Sequence, residues 1–414
     1  MELRRRRLGL RAVLTMSALV AATLIGGVTN ASEASVVGPS AASAVSAAFT
    51  AAGGGGYGGG GGQVGADEGA AFAMTNATAD NRIVRYQRGS GGTLNRVGSI
   101  STRGLGIGVD LDTQGPLRLS ADHKFLYAVN AGSDDVTVFS VNGTELRFVQ
   151  KVYAGDQPVS LTVHGSVLYV LDGSVASNSI RGFSVGADGR LRPIDGSIQP
   201  LSSPIAVPGD IEFSPDGSLI LVTQKTTANT LSPTIAIDSF TVNAHGVASK
   251  AKRNESAGIR PFALAFRNNH QALVVESFDA SAGLSAVSSY DVRDRNLRVN
   301  SKSVPSGQTD ACWIVITHDG QFAFTANFGS GTISSYRIRD SGSIDLQRDI
   351  EAFTGATSQP VDLAQTDDSK YLYLLLRGTG GVASFAVNGG ALTQLGVTIG
   401  GLPVADGASG LAVY

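Results

Sequence analysis

The chain has 414 residues, of which 53 are glycine and only 16% are charged, and its formal net charge is -2. The 32 Lys and Arg residues nearly balance the 34 Asp and Glu residues, so the chain has no overall attraction for nucleic acid, and we exclude DNA and RNA as partners. Cys312 is the only cysteine, which excludes a disulfide within the chain and leaves core burial as the source of stability.

Residues 1–31 have the layout of an export signal. Arginines are concentrated between Arg4 and Arg11, residues 12–28 are apolar and mostly small, and residues 29–31 (Thr-Asn-Ala) offer a cleavage point. The apolar run is short for a membrane span, so we favour a signal peptide over a membrane anchor and expect no transmembrane span after its removal. The protein is therefore predicted to be secreted, to the periplasm, the cell envelope or the medium.

Residues 32–65 have low complexity, being rich first in Ala and Ser and then in Gly. Such a segment cannot bury enough apolar surface to offset the entropy lost on ordering. We predict a flexible linker here. A phosphate-binding glycine loop is disfavoured, because neither a Lys-Ser or Lys-Thr pair nor a helical pattern follows the glycines.

From residue 66 to residue 414 one short pattern recurs seven times, at intervals of about 50 residues. A β-branched residue is followed three positions later by an aromatic residue and usually, two positions further on, by Val or Ile. The aromatic residues are Tyr86, Phe139, Phe183, Phe240, Tyr290, Tyr336 and Phe385.

Each copy is followed by a turn and a short apolar segment, and six copies are preceded by two apolar segments joined by a polar turn such as residues 214–217 (Ser-Pro-Asp-Gly). The Asp-Gly step in such a turn suits the positive φ that the turn requires. Four strands per repeat and seven repeats predict an all-β, seven-bladed β-propeller with four-stranded antiparallel blades.

The first repeat lacks its innermost strand, because its second strand, around Phe72, directly follows the glycine-rich segment. The final residues, 406–414, have the character of an innermost strand. We therefore predict that the C-terminal strand completes the first blade and closes the ring, which removes exposed sheet edges.

Candidate ligand-binding residues stand just before the innermost strands and just after the second strands. In a propeller both sets of segments belong to one face, where the central channel opens. Lys225, Arg260, Arg377 and Asn327 are predicted to bind a small acidic or lactone ligand at this mouth.

Two acidic residues in the same segments are candidate catalytic groups. Glu276 or Asp310 is predicted to activate water as a general base, while Arg260 and Lys225 hold the developing oxyanion. The alternative interpretation is that these charges pair with one another and only order the loops.

Metal and cofactor motifs are weak. The five histidines fall in or beside predicted turns spread around the ring, at His123, His164, His245, His270 and His318. They are not expected to converge as metal ligands do, and the chain contains no Gly-x-Ser-x-Gly nucleophile motif. We predict no metal and no cofactor, and we interpret Cys312 as a buried core residue.

The most distinctive stretches of the repeated sequence pattern are residues 126–133, 213–217 and 325–336. Related stretches cover nearly all of the chain from residue 70 onward. This repeated pattern resembles that of the lactonase family of seven-bladed propellers, which includes 6-phosphogluconolactonase-type and carboxymuconate-cyclising enzymes. The resemblance implies a lactone hydrolase with Arg260 and Glu276 at the channel mouth. We expect a secreted, monomeric, lactonase-like propeller, the alternative being a non-catalytic extracellular binding propeller.

Overall fold

The computed structural model describes residues 69–227 and 233–414. The signal peptide predicted at residues 1–31 and the linker predicted at residues 32–65 lie outside the described residues. The described residues form seven antiparallel sheets and, apart from one 3₁₀ turn at Phe278–Ala280, no helix. The predicted all-β, seven-bladed β-propeller with four-stranded blades is thereby confirmed.

Each sheet is one blade, with its first strand at the hub and its fourth at the rim. Blade 1 contains β1 (Gly69–Met74), β2 (Arg82–Arg88), β3 (Leu94–Ser101) and, at the hub, the last strand of the chain, β29 (Leu411–Val413). Blade 2 contains β4 (Leu117–Leu119), β5 (Phe125–Asn130), β6 (Asp135–Asn142) and β7 (Glu145–Tyr153). Blade 3 contains β8 (Pro158–His164), β9 (Val167–Asp172), β10 (Ser179–Val185) and, sharing the rim, β11 (Leu191–Pro193) and β12 (Gln199–Pro200).

The remaining four blades follow the same order from hub to rim. Blade 4 contains β13 (Ala206–Phe213), β14 (Leu219–Thr227), β15 (Pro233–Thr241) and β16 (Lys252–Glu255). Blade 5 contains β17 (Pro261–Asn268), β18 (Gln271–Glu276), β19 (Ala286–Arg293) and β20 (Asn296–Pro305). Blade 6 contains β21 (Ala311–Ile316), β22 (Phe322–Asn327), β23 (Thr332–Ile338) and β24 (Ile344–Phe353). Blade 7 contains β25 (Pro360–Gln365), β26 (Tyr371–Leu376), β27 (Gly381–Asn388) and β28 (Ala391–Ile399).

The recurring sequence pattern forms the third strand of every blade. All seven of its aromatic residues are completely buried, since both faces of a blade are covered by its neighbours in the ring. The polar turns predicted between first and second strands are also present. Gly217 (φ 70°) and Gly320 (φ 67°) supply the positive φ that the Asp-Gly turns of blades 4 and 6 require.

The C-terminal strand closes the ring. β29 pairs with β1 in antiparallel register, with Phe72 opposite Ala412 and Ala73 opposite Leu411. The Tyr414 amide then donates a hydrogen bond of 3.1 Å to the Ala70 carbonyl. The first blade thus takes strands from both ends of the described chain, as the sequence predicts.

Strand direction defines two faces of the propeller. Innermost strands start at one face and second strands end there, so we call this face the mouth and the other the base.

No helix in the described residues is long and apolar enough to cross a membrane.

Candidate functional site

Four polar residues stand directly before the innermost strands of four blades, and all four have a left-handed backbone. They are Gln157 (φ 62°), Arg260 (φ 56°), Asp310 (φ 53°) and Gln359 (φ 48°). This conformation costs a residue other than glycine about 1 kcal/mol or more, so its recurrence indicates that entry into the hub imposes it. Two of these side chains meet at the mouth, where Arg260 Nη1 lies 4.0 Å from Asp310 Oδ1.

Lys225 reaches the mouth from the second strand of blade 4. The pairing of β14 with β15 shifts register between Gln224 and Thr226, so Lys225 falls within a bulge. Its side chain is only 1% exposed, and its Nζ lies 2.6 Å from Asp112 Oδ2 and 4.5 Å from the ring centroid of Phe262. Burial lowers the pKa of Lys225, and the Asp112 carboxylate offsets part of that shift.

Asp112 lies in the segment that connects the rim of blade 1 to the hub of blade 2 (residues 102–116). Its Oδ2 also lies 3.4 Å from Arg260 Nη2. Burial alone would raise the pKa of Asp112, but the charges of Lys225 and Arg260 outweigh this effect and place the pKa below its ordinary value. An ionised Asp112 therefore pairs with both of these cations, which the sequence singles out as ligand-binding groups.

Arg377 has a partner from the same connecting segment. Its Nη1 forms an ion pair with Asp110 Oδ2, and its guanidinium lies 4.5 Å from the ring centroid of Phe328. Burial raises the pKa of Asp110, and the charge of Arg377 cancels only part of this shift. Arg377 Nη2 also donates a hydrogen bond of 3.4 Å to Gln359 Oε1.

Asp310 is the acidic candidate that lies beside the cations. Its side chain is 17% exposed, and its Oδ1 accepts a hydrogen bond of 3.3 Å from the Cys312 thiol. Burial raises the pKa of Asp310, while the nearby Arg260 charge counteracts it in part. Asp279, whose Oδ1 lies 3.7 Å from Arg260 Nη1, is the third carboxylate on this guanidinium, after Asp112 and Asp310. We call the whole group the mouth cluster: Asp110, Asp112, Lys225, Arg260, Asp279, Asp310 and Arg377.

Glu276 lies apart from the mouth cluster, among hydroxyl groups of blades 4 and 5. Its carboxylate accepts hydrogen bonds from Ser288 (2.6 Å), Ser303 (2.7 Å) and Ser256 (3.4 Å). The residue is completely buried, and burial raises its pKa. The contacts of Glu276 are therefore those of a residue that joins β18 to its neighbours, and the structure does not group it with Arg260.

Asn327 has a similar position in blade 6. Its Nδ2 donates hydrogen bonds to Thr332 Oγ1 (2.9 Å) and Ser334 Oγ (2.8 Å), which ties the end of β22 to β23. Like Glu276, Asn327 is paired within the strand ladder, whereas Lys225 lies in a bulge and Arg377 lies beyond the strand end. The predicted convergence at the mouth is thus found for Lys225 and Arg377 and not for these two ladder residues.

Thr113 and Gln114, which directly follow Asp112, are bonded to the innermost strands of other blades. The Thr113 carbonyl accepts a hydrogen bond of 3.2 Å from the Trp313 indole. The Gln114 side chain donates to Asp210 Oδ2 (3.2 Å) and accepts from the Ile314 amide (2.9 Å). These two residues therefore cross-link the innermost strands of several blades and anchor the segment that carries Asp112.

A second group of charges lies deeper, on the innermost strands themselves. Arg118 on β4 forms an ion pair of 2.5 Å with Glu212 on β13, next to Asp210 and Asp362, which are 0% and 3% exposed. Burial raises the pKa of Asp362 to about 7, although the Gly410 amide donates a hydrogen bond of 2.7 Å to its Oδ2. We call these four residues the channel cluster.

Among the described residues, no group of three or more His, Cys, Asp or Glu side chains is arranged to hold a metal ion. Cys312 is buried, as expected for a core residue. Burial raises the pKa of its thiol well above the ordinary value, with the Asp310 charge adding to the shift. A thiol of this kind stays protonated and donates its hydrogen bond to Asp310.

Comparison with known proteins identifies the family. The model of the family described as "Lactonase, 7-bladed beta-propeller" matches residues 66–207 and 230–365. The chain belongs to this lactonase family, as its repeated sequence pattern suggests. None of the curated protein sequences compared with the chain matches it.

Three solved structures illustrate how far the architecture is shared. A candidate 6-phosphogluconolactonase from Bacteroides uniformis is 18% identical with a TM-score of 0.66, covering 84% of this chain and 100% of its own. A protein from Lactobacillus plantarum is 16% identical with a TM-score of 0.64, covering 84% and 99%. The periplasmic gluconolactonase of Pseudomonas aeruginosa is 17% identical with a TM-score of 0.61, covering 83% and 99%. At such low identity these similarities establish the fold.

Proposed function

We propose that the protein binds a small sugar-derived lactone at the mouth and hydrolyses it to the hydroxy acid. The observation that carries this proposal is the arrangement of Asp310 beside Arg260, each directly before the innermost strand of its blade. A half-buried carboxylate next to a guanidinium provides a base and an oxyanion-binding group in one place. The family and the gluconolactonase among the similar structures favour a lactone as the substrate class.

In the proposed reaction Asp310 removes a proton from water as the oxygen attacks the lactone carbonyl. The negative charge that develops on the carbonyl oxygen is stabilised by Arg260 and by the Lys225 ammonium, which requires Asp112 to release part of its hold on them. The ring C–O bond then breaks, and the leaving oxygen takes the proton from Asp310. Water and lactone are consumed, and one hydroxy acid is formed.

The test is hydrolysis of D-glucono-1,5-lactone by the wild-type protein and two variants, corrected for spontaneous opening. Asp310→Asn should lower kcat/KM by about 100-fold or more, because general-base catalysis contributes about 10²–10⁴-fold. Arg260→Met should cause a loss of similar size. Asp195→Asn, which changes an exposed carboxylate in a loop of blade 3, is the matched control and should leave the rate unchanged. Equal rates for Asp310→Asn and wild type would exclude Asp310 as the base.

The pH profile provides a further readout of Asp310. Because burial raises the pKa of Asp310, its basic form is populated only at higher pH than for an ordinary aspartate. The rate should therefore rise with pH through that raised pKa and then level off. In Asp310→Asn this rise should disappear, whereas Asp195→Asn should keep it.

A non-catalytic ligand-binding propeller is the second candidate. It is favoured by the pairing of Asp110 with Arg377 and of Asp112 with Lys225, which neutralises cations in the absence of any ligand. Calorimetric binding of D-gluconate without turnover of a panel of aldonolactones would support this candidate over the hydrolase.

We also propose that the protein is exported. The cationic start, the apolar run at residues 12–28 and the small residues at 29–31 support this proposal. Expression in the native host with and without residues 1–31 tests it. The full-length chain should appear outside the cytoplasm in a shortened form, and the truncated chain should stay inside. Retention of both forms in the cytoplasm would refute export.

A further inference from the structure

The Asp112 carboxylate has an arrangement expected of a bound ligand. One of its oxygens meets the Lys225 ammonium at 2.6 Å and the Arg260 guanidinium at 3.4 Å. Lys225 belongs to blade 4 and Arg260 to blade 5, while Asp112 comes from a connection between blades 1 and 2. The two cations therefore form a receptor for a single carboxylate, and that carboxylate is supplied from a distant part of the chain.

The two sides of this contact differ in exposure. The Lys225 side chain is 1% exposed and the Arg260 side chain 17%, whereas the Asp112 side chain is 41% exposed. The cations thus form the buried side of the contact, and the carboxylate covers them from the solvent side. A molecule arriving at the mouth meets Asp112 before it meets Lys225.

The residues that follow Asp112 hold the segment in place independently of the carboxylate. Thr113 Oγ1 donates a hydrogen bond of 2.7 Å to the Val159 carbonyl, and Gln114 bonds to Asp210 and Ile314. Asp112 itself has a left-handed backbone (φ 54°) at the end of this anchored stretch. A movement of the Asp112 side chain therefore frees its carboxylate contacts with Lys225 and Arg260, while Lys225 keeps its hydrogen bond to the Asp112 main-chain carbonyl and Thr113 and Gln114 stay in place.

We propose that Lys225 and Arg260 form a carboxylate-binding subsite that Asp112 occupies as an internal ligand, and that a sugar-acid ligand enters by displacing the Asp112 carboxylate. The proposal rests on the proposed function in so far as both place the ligand at the mouth. It adds that the preferred ligand carries a carboxylate, as the hydroxy-acid product and acidic sugar lactones do. It also makes Asp112 a competitor that weakens binding.

The physical reason is the cost of leaving Lys225 unpaired. A buried ammonium without a counter-charge is strongly unfavourable, so a carboxylate is retained there whether it belongs to the chain or to a ligand. Removing the Asp112 charge should make an external carboxylate bind more tightly, because the ligand no longer has to displace one. An uncharged sugar gains nothing from the same change.

Titration calorimetry with sodium D-gluconate tests the proposal, with methyl β-D-glucopyranoside as the uncharged probe. Asp112→Asn should bind gluconate at least about tenfold more tightly than the wild-type protein does, and its affinity for the glucoside should not change. Asp195→Asn is the matched control and should match the wild type for both probes. Unchanged or weaker gluconate binding by folded Asp112→Asn would overturn the proposal.

Thermal unfolding supplies a second measurement in case Asp112→Asn is poorly folded. Gluconate should raise the Tm of Asp112→Asn by several degrees more than it raises that of the wild type, or allow recovery of folded protein, while sodium chloride at equal ionic strength should not. Equal effects of gluconate and chloride on Asp112→Asn would contradict the proposal.

Lactone turnover by the same proteins separates the two claims. Tighter gluconate binding by Asp112→Asn with no lactonase activity in any protein would leave the internal-ligand proposal standing and reject the hydrolase. Hydrolysis by the wild type that falls in Asp112→Asn, without any gain in gluconate affinity, would do the reverse and assign Asp112 to the reaction itself.

Discussion

The mouth cluster and the channel cluster both gather charges at the hub, but they are built in different ways. The mouth cluster draws its residues from loops and a bulge, and its cations pair with carboxylates that are partly exposed, such as Asp112 at 41%. The channel cluster draws its residues from the innermost strands and sets one guanidinium, Arg118, against three carboxylates. Loop charges can change partners when a ligand arrives, whereas strand charges are fixed by the ring itself.

This difference assigns the two clusters to different tasks. At the mouth, we propose that the ion pairs hold the cations until a ligand replaces one partner. In the channel, Asp210 is fully buried and its Oδ1 has no hydrogen-bond partner, which is an unfavourable arrangement that only a rigid scaffold maintains. We therefore expect mouth variants to change binding and turnover, and channel variants to change stability.

The largest effect is expected from opening the ring on which both clusters depend. Deleting residues 410–414 removes β29 and the pairing of Phe72 and Ala73 with it. The loss should lower Tm by about 10 °C or more and cause aggregation, because buried apolar contacts are lost and a sheet edge is exposed. Val404→Ser, at a residue that is 61% exposed, is the control for differential scanning calorimetry. An unchanged melting curve for the truncated chain would refute closure by the C-terminal strand.

The next effect concerns the single cation of the channel cluster. Arg118→Met leaves Asp210, Glu212 and Asp362 without their counter-charge, and we expect a loss of about 2–4 kcal/mol in the free energy of unfolding at neutral pH. The loss should shrink toward pH 5 as the carboxylates take up protons. Arg82→Met breaks a surface pair of 2.6 Å with Asp80 and should cost less than about 1 kcal/mol in the same urea titrations. Similar losses for the two variants would contradict the distinction.

A smaller effect of opposite sign is expected at Asp362. Its folded-state pKa of about 7 lies above the ordinary value of 3.8, so the folded protein binds this proton more tightly than the unfolded chain does. Stability from this group is therefore present at low pH and lost as pH rises toward 7. Asp362→Asn should stabilise the protein by about 1–3 kcal/mol at pH 8 and flatten the pH dependence measured by urea unfolding. A loss of stability at pH 8 would show that Asp362 is favourable as an anion.

The smallest effect tests the backbone of the mouth. Gln157 adopts a left-handed conformation (φ 62°) directly before β8. Gln157→Gly should stabilise the protein by up to about 1 kcal/mol, because glycine enters this conformation without steric cost. Gln157→Ala, which keeps the Cβ, is the matched control and should bring no gain. Equal stability of the glycine and alanine variants would show that the ring does not strain this residue.

The sequence predicts the architecture well because each repeat contains the residues that its own strands and turns require. Each third strand carries its buried aromatic residue, and the Asp-Gly turns lie between the strands that they were expected to join. Closure by residues 411–413 also follows from the pattern, since the first repeat has one strand too few. The strands and turns depend on neighbours that are close in sequence, and the closure follows from counting strands, so a single sequence shows them.

The site is predicted only in part because its contacts are long-range. Lys225, Arg260, Asp310 and Arg377 do lie together, but Asp112, the partner of the first two, is separated from Lys225 by 113 positions. The unusual length of residues 102–116, compared with residues 154–157 between blades 2 and 3, is the one signal that could have drawn attention to Asp110 and Asp112. Glu276 pairs with β19 in regular register, whereas the pairing of β14 with β15 shifts at Lys225, and a shift of one residue cannot be recognised from composition.

One comparison tests the central claim, that the chemistry belongs to the mouth and not to the channel. Asp310, which is half-buried, and Asp362, which is buried, are both aspartates with raised pKa values, so each can be replaced by asparagine with the same loss of charge. The account predicts that kcat/KM for D-glucono-1,5-lactone collapses in Asp310→Asn and stays at the wild-type level in Asp362→Asn. The opposite pattern, activity lost with Asp362 and kept without Asp310, would contradict it.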